Sequence, residues 1–170
     1  LDQFDDKANV ATHYETTGKE IIEALPQIDV FVAGIGTGGT IMGVGRRLRE
    51  ENPQVRLIGV TPRMGERLQG LRSLSEGYVP PLLDLDRLDG RFIVDAVEAI
   101  EGARLVVSSE GILAGVSSGA ALSVALRLAK DMDSGNIVIM FSDGGWKYLP
   151  ARLWGSLVRD TETLDDTHWW

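Results

Sequence analysis

FVAGIGTGGTIMGVGRRLRE, residues 31–50, is the stretch on which the fold turns. It begins inside a short β-branched and aromatic run, residues 28–33 (IDVFVA), which has the composition of a buried strand. Its second half places Ile41, Val44 and Leu48 on one face and Arg46, Arg47 and Arg49 on the other, a helical period over residues 40–51. GIGTGGT joins the two. After the stop at Asn52 and Pro53, residues 55–60 (VRLIGV) read as a second strand. A strand, a glycine turn, a helix and a strand in succession predict a βαβ unit, hence a parallel sheet with a right-handed crossover.

Outward from this unit, Thr17 and Glu20 form a capping-box pattern ahead of Ile21, Ile22 and Leu25, so a helix is expected over residues 17–25, closed by Pro26. From Pro62 to Arg91 periodicity fails, and a long loop with one short helix is expected there. Asp95 opens a helix through Val97, Ile100, Ala103 and Val107 to Gly111, with a strand at residues 105–107 as the rival reading. Residues 119–130 read as a buried helix and residues 136–141 (NIVIMF) as a further parallel-type strand ending at SDGG. The pattern predicts a three-layer, Rossmann-like α/β domain over residues 1–150, followed by an acidic tail, residues 151–170.

Composition narrows the chemistry. The chain has 170 residues, with 17 basic and 25 acidic side chains and a formal net charge of -8, which argues against nucleic acid or an anionic membrane as partner. With no cysteine there is no disulfide, thiolate nucleophile or Cys-ligated zinc, and His13 and His168 alone could ligate a metal through nitrogen, so no metal is expected. No apolar run approaches the roughly 18 residues of a membrane span, and the N-terminus lacks a signal-peptide plan, so a cytoplasmic setting is expected. The unusual figure is glycine: 20 residues, above the usual ~7%. They gather in clusters beside apolar runs, where backbone must turn tightly or approach a ligand.

Three of these turns could carry chemistry. Gly34, Gly36 and Gly39 satisfy GxGxxG between strand and helix, a geometry that aims amide groups and a helix N-terminus at an anion. A dinucleotide site wants an acidic residue after the second strand, where this chain has Arg63, which would suit NADP. Thr37 and Thr40 add two hydroxyls, a better match to a cup for one terminal phosphate; close packing without a ligand is the plain alternative. Gly115–Gly119 (GVSSG) matches GxSxG, and Ser117, Asp143 and His168 follow the hydrolase order, but His168 lies in a polar tail and a helix N-cap role for Ser117 or Ser118 accounts for the serines. Asp143, after the last strand, should stand at the carboxyl edge of the sheet, facing the same crevice as GTGGT, where a carboxylate serves either as a helix or turn cap or as a partner for a basic ring nitrogen. His13 reads as a local cap or packing residue.

Taken in order, HYETTGKEI, FVAGIGTGGTIMGVGRRLRE, EGYVP, EGILAGVSSGAAL and SDGGWKYL resemble the cysteine synthase branch of the fold-type II pyridoxal-phosphate enzymes across nearly the whole chain. QGLR (residues 69–72), GWKYL and the tryptophan-ended tail look closest to the O-phosphoserine-dependent members, which take sulfur from a small carrier protein. The resemblance implies pyridoxal 5'-phosphate as cofactor, its phosphate gripped by Gly36, Thr37, Gly38, Gly39 and Thr40. It implies that Gly111 lies close to the cofactor ring and that Arg72 receives the phosphate of O-phosphoserine, a task suited to a bidentate guanidinium. Where many members set a serine against the pyridine nitrogen, Asp143 aligns, with Ser142 one residue earlier; a carboxylate there would keep the nitrogen protonated.

The implied reaction is β-replacement: the α-proton of O-phosphoserine or O-acetylserine leaves, phosphate or acetate is eliminated, and a sulfur nucleophile adds to give L-cysteine. A homodimer is implied as well. The family's Schiff-base lysine and SGNTG-like substrate loop lie in an N-terminal half with no counterpart here, and Lys7, Lys19, Lys130 and Lys147 stand in other contexts. The expectation is a C-terminal half of the enzyme, incomplete relative to the two-domain fold and inactive alone. A folded remnant that self-associates, an NADP-binding oxidoreductase domain and a serine hydrolase are the other readings.

Overall fold

A computed structural model of the chain describes residues 2–151. The elements run α1 (Lys7–Glu15), α2 (Thr17–Ala24), β1 (Val30–Gly34), α3 (Gly39–Glu51), β2 (Arg56–Pro62), β3 (Gly90–Val94), α4 (Ala96–Glu110), α5 (Val116–Lys130) and β4 (Ile137–Ile139), with short 3-10 turns at Leu74–Glu76, Leu85–Arg87 and Gly145–Ala151. The four strands form one sheet in the order β3-β2-β1-β4. Every pairing is parallel, with Val30 opposite both Arg56 and Ile137.

Alternation along the strands divides the core into two layers, as strand geometry requires. Val30, Val32, Ile58, Val60 and Val94 face α4 and α5, meeting Ile100, Val124 and Leu128. Phe31, Ala33 and Leu57 face the other way and meet Ile41, Val44 and Leu48 of α3, with Val10, Ile21 and Ile22 of α1 and α2 at the margin. Phe31, Ile35, Ile41 and Ile58 are fully buried; each such side chain stabilises the fold by about 1.5–3 kcal/mol through burial. The expected three-layer α/β architecture is present. α4 and α5 touch through glycine: a Cβ on Gly102 or on Gly119 would run into the facing helix backbone.

Several local expectations are corrected. The stretch read as loop up to Arg91 holds the start of β3, an edge strand whose Arg91 and Ile93 are exposed, so no buried run announces it. α1 was not expected: it carries no apolar stripe and begins where Asp6 Oδ1 accepts the Ala8 N–H at 2.9 Å. α2 starts at Thr17 with Thr16 as N-cap, so the capping-box placement was one residue late. Residues 105–107 lie inside α4 and not on a strand. α5 starts at Val116 with Gly115 as N-cap, which puts Ser117 and Ser118 inside the first turn and overturns their N-cap role. β4 is three residues long, shorter than the apolar run around it. The acidic tail and His168 lie outside the described residues. Among the described residues no helix is long and apolar enough to cross a membrane and no group of three or more His, Asp or Glu side chains could hold a metal.

Candidate functional site

From β1 the chain proceeds outward to β2 and β3 on one side, then returns to add β4 on the other. The order reverses between β1 and β4, and beyond the carboxyl ends of strands at such a point an open α/β sheet forms its ligand crevice. Gly36–Thr40 leaves β1 there, and Ser142 and Asp143 leave β4 there.

The turn after β1 is shaped by contacts that only glycine permits. Gly38 has φ +88°, and a Cβ on it would come within 2.9 Å of Leu83 Cβ. A Cβ on Gly36 would lie 2.8 Å from the carbonyl oxygen of Gly70. The first amides of α3 have no carbonyl partner within the helix and stand at its positive end. Thr37 Oγ1 accepts the Gly39 N–H at 3.2 Å. It also accepts Asn9 Nδ2–H at 3.1 Å. Thr40 Oγ1 meets His13 Nε2 at 3.1 Å, and His13 Nδ1 meets Thr17 Oγ1 at 3.0 Å. Burial pushes the His13 imidazole below its ordinary pKa, so it stays neutral near pH 7. His13 is a packing and hydrogen-bonding residue, and its ring reaches the turn itself. A Cβ on Gly43 would press within 2.8 Å of His13 Cβ, so glycines on α3 let α1 seat against the turn.

Arg72 lies beside this turn. Its N–H donates to Ile35 O at 2.8 Å, and its exposed guanidinium stands 4.3 Å from the Tyr78 ring centroid and 5.4 Å from that of Phe4. The two rings hold the cation without neutralising it.

On the β4 side, residues 111–115 are zipped to the Ser142–Gly145 loop. Ala114 and Gly144 form an antiparallel bridge, Gly115 N–H donates to Asp143 O at 2.9 Å, and Gly145 N–H donates to Leu113 O at 2.8 Å. Gly111 caps α4 in the left-handed region at φ +68°. Asp143 Oδ2 accepts the Tyr148 hydroxyl at 2.6 Å, with Lys147 Nζ at 3.8 Å. Burial, then the hydrogen bond to Asp143, pushes the Tyr148 pKa upward and keeps the phenol neutral. Asp143 Oδ1 is buried without a hydrogen-bond partner, as is Ser118 Oγ. Ser142 is exposed.

Ser117 joins the two sides. A Cβ on Gly34 would lie 4.0 Å from Ser117 Cβ, and one on Gly70 would lie 3.6 Å from Ser117 Oγ. The Gly36–Thr40 turn, Gly70, Ser117, Gly115 and Asp143 therefore form one continuous edge. Asn9, Ser117 and Tyr148 escape a reading of the sequence; GxSxG pointed to Ser117 for a different reaction, and no local pattern marks the other two. Arg63, on which an NADP site would rely, is paired with Asp95 at 3.3 Å and lies 3.9 Å from Glu66.

Known proteins are similar to this chain in sequence and in fold. A cysteine synthase of Aquifex aeolicus is 41% identical over 159 residues, covering 90% of this chain and 49% of the relative. Cysteine synthase B of Pseudomonas aeruginosa is 38% identical over 152 residues, covering 89% and 51%. The crystal structure of an O-ureido-L-serine synthase matches with a TM-score of 0.82 at 33% identity, covering 95% of this chain and 54% of that one. A hydrogen sulfide-producing enzyme from Fusobacterium nucleatum matches with a TM-score of 0.81 at 33% identity, covering 86% and 53%. The chain thus spans about half the length of the curated relatives it matches. The profile of the family described as "Pyridoxal-phosphate dependent enzyme" matches residues 1–143, and the chain belongs to that family.

Proposed function

We propose that this chain is the cofactor-phosphate half of a cysteine synthase that makes L-cysteine by β-replacement on O-phosphoserine or O-acetylserine. The observation that carries the reading is the convergence, on one sheet edge at the strand-order reversal, of a donor-lined glycine turn with Arg72, Gly111 and the Asp143 loop. Pyridoxal phosphate, when bound, supplies a ring that takes up the electron pair left on the substrate.

The residues present fit that group. Gly36, Thr37, Gly38, Gly39 and Thr40 would line its phosphate, with the Thr37 hydroxyl and the amides not spent within the turn as donors, and the close approach of Gly70 to Gly36 walls the turn on one side. Gly111 gives the ring an opening free of side chain. Arg72, stacked but not neutralised, is available to the phosphate of O-phosphoserine, which favours that substrate over O-acetylserine. Asp143 or Ser142 would hold the ring nitrogen; the unpartnered Oδ1 supports Asp143, and Ser117, lying between the two sides, offers a third candidate hydroxyl. Removing the true partner shifts the absorbance of bound cofactor, so Asp143→Asn, Ser142→Ala and Ser117→Ala separate the three.

The lysine that binds the cofactor covalently comes from outside these 170 residues, as does the substrate loop. Residues 1–150 form the cofactor domain and residues 151–170 a tail. The whole enzyme is a cytoplasmic homodimer that takes sulfur from a small carrier protein. The test mixes the chain with pyridoxal phosphate, with and without a separately expressed lysine-bearing half. A visible absorbance band is expected only when both halves are present; the same band with this chain alone would overturn the assignment of the lysine.

A further inference from the structure

We infer that Asn9 is a positioning residue of the phosphate turn: by donating to Thr37 Oγ1 it fixes that hydroxyl as a hydrogen-bond donor and makes the turn selective for anions. The inference rests on the reading of Gly36–Thr40 as the phosphate turn.

A threonine hydroxyl has one hydrogen to give and two lone pairs to receive. Thr37 Oγ1 already accepts from Asn9 Nδ2 at 3.1 Å and from Gly39 N at 3.2 Å. Both lone pairs are taken, so the Thr37 hydrogen must go to an acceptor elsewhere. The orientation of the Asn9 amide is itself determined. Its Nδ2 also donates to the carbonyl oxygen of Gln3 at 2.9 Å, and a flipped amide would set two oxygens against each other. The amide therefore spends both hydrogens, one on Gln3 O and one on Thr37 Oγ1, in a chain whose members polarise each other.

Asn9 can occupy this place because position 39 has no side chain: a Cβ on Gly39 would collide with the Asn9 carboxamide. The result is a turn whose threonine hydroxyl gives rather than receives, beside helix-end amides that also give. An anion satisfies such a set and a cation does not.

The experiment titrates the 170-residue chain with inorganic phosphate, followed by 31P NMR and calorimetry, for the unmodified chain, Asn9→Ala, Asn9→Asp, Thr37→Val and the double variant Asn9→Ala/Thr37→Val. Asn9→Ala should weaken phosphate about five- to tenfold. Asn9→Asp, nearly isosteric, should weaken it further, because a carboxylate captures the Thr37 hydrogen. In the Thr37→Val background Asn9→Ala should change affinity less than about twofold, since the hydroxyl it acts through is gone. A merely structural role would give the same loss in both backgrounds, and that result, or no loss in either single Asn9 variant, would overturn the inference while leaving the phosphate turn intact. No saturable phosphate binding by the unmodified chain would sink the phosphate-turn reading and this one with it.

Discussion

At the turn after β1 the chain encloses its own site: Ile35 and Ile41 are 0% exposed, and α1 and the Leu83 loop close over the glycines. At the loop after β4 the opposite holds. Trp146 is 62% exposed, Leu149 56% and Ile112 50%, although the backbone there is zipped to residues 113–115. One end of the crevice is finished by residues the chain carries; the other offers backbone order under an uncovered apolar skin. The difference is what the proposed function requires: a phosphate turn closed by this chain and an open side left for further protein.

The contrast breaks most visibly at Gly38. An alanine there meets both the left-handed backbone, φ +88°, and Leu83 Cβ at 2.9 Å. The expected loss is about 2–3 kcal/mol, seen as a fall in melting temperature of roughly 5–10 °C. Gly65, at φ +82° with nothing within 4 Å of its Cβ position, isolates the backbone part. Gly65→Ala should cost only about 1 kcal/mol. Equal losses at the two sites would deny that the turn is packed shut.

On the β4 side the sensitive contact is Tyr148 with Asp143. Tyr148→Phe deletes the 2.6 Å donor to a carboxylate whose other oxygen is already buried without a partner. A loss of about 1–2 kcal/mol in chemical denaturation is expected. An unchanged midpoint would show that the exposed Lys147, at 3.8 Å, suffices to hold Asp143.

A smaller effect separates the sides by pH. Burial lowers the His13 pKa in the fold, while the unfolded chain binds a proton near its ordinary value, about 6.5. Below that value the unfolded state carries more protons than the folded one, so stability falls as pH drops from about 6.5 toward the folded pKa and is fully present above it. Melting curves of the unmodified chain and His13→Gln should diverge in that window and run parallel above it. Parallel curves throughout would mean that the ring between Thr17 and Thr40 titrates like a free histidine.

The sequence discloses these regions unequally, for physical reasons. The β1–α3–β2 unit is legible because strands buried on both faces are written as continuous apolar runs and the turn between them as glycine. β3 is hidden because an edge strand exposes Arg91 and Ile93 and so lacks that run. α1 is hidden because its task is polar: Asn9 and His13 reach Thr37 and Thr40, 28 and 27 residues away in sequence, and no local period encodes such a bond. Asp143 is legible from its place after a strand and before two glycines. Its tie to Tyr148 depends on how the Gly145–Ala151 turn winds back, which composition does not state.

The smallest effect on stability is also the sharpest test of the uncovered end. Trp146 and Leu113 are 62% and 36% exposed, and the Gly145 N–H to Leu113 O bond draws together the backbone segments that carry them. Exposed apolar side chains on neighbouring segments favour association, and two copies of the chain can cover each other there. Replacing Trp146 and Leu113 by serine removes little buried area, so the stability at low concentration should change by no more than about 0.5 kcal/mol. Light scattering should nevertheless show self-association in the unmodified chain and its loss in the double variant. A monodisperse monomer before substitution would remove the contrast between the two ends of the crevice, because the exposed side would then have no tendency to be covered.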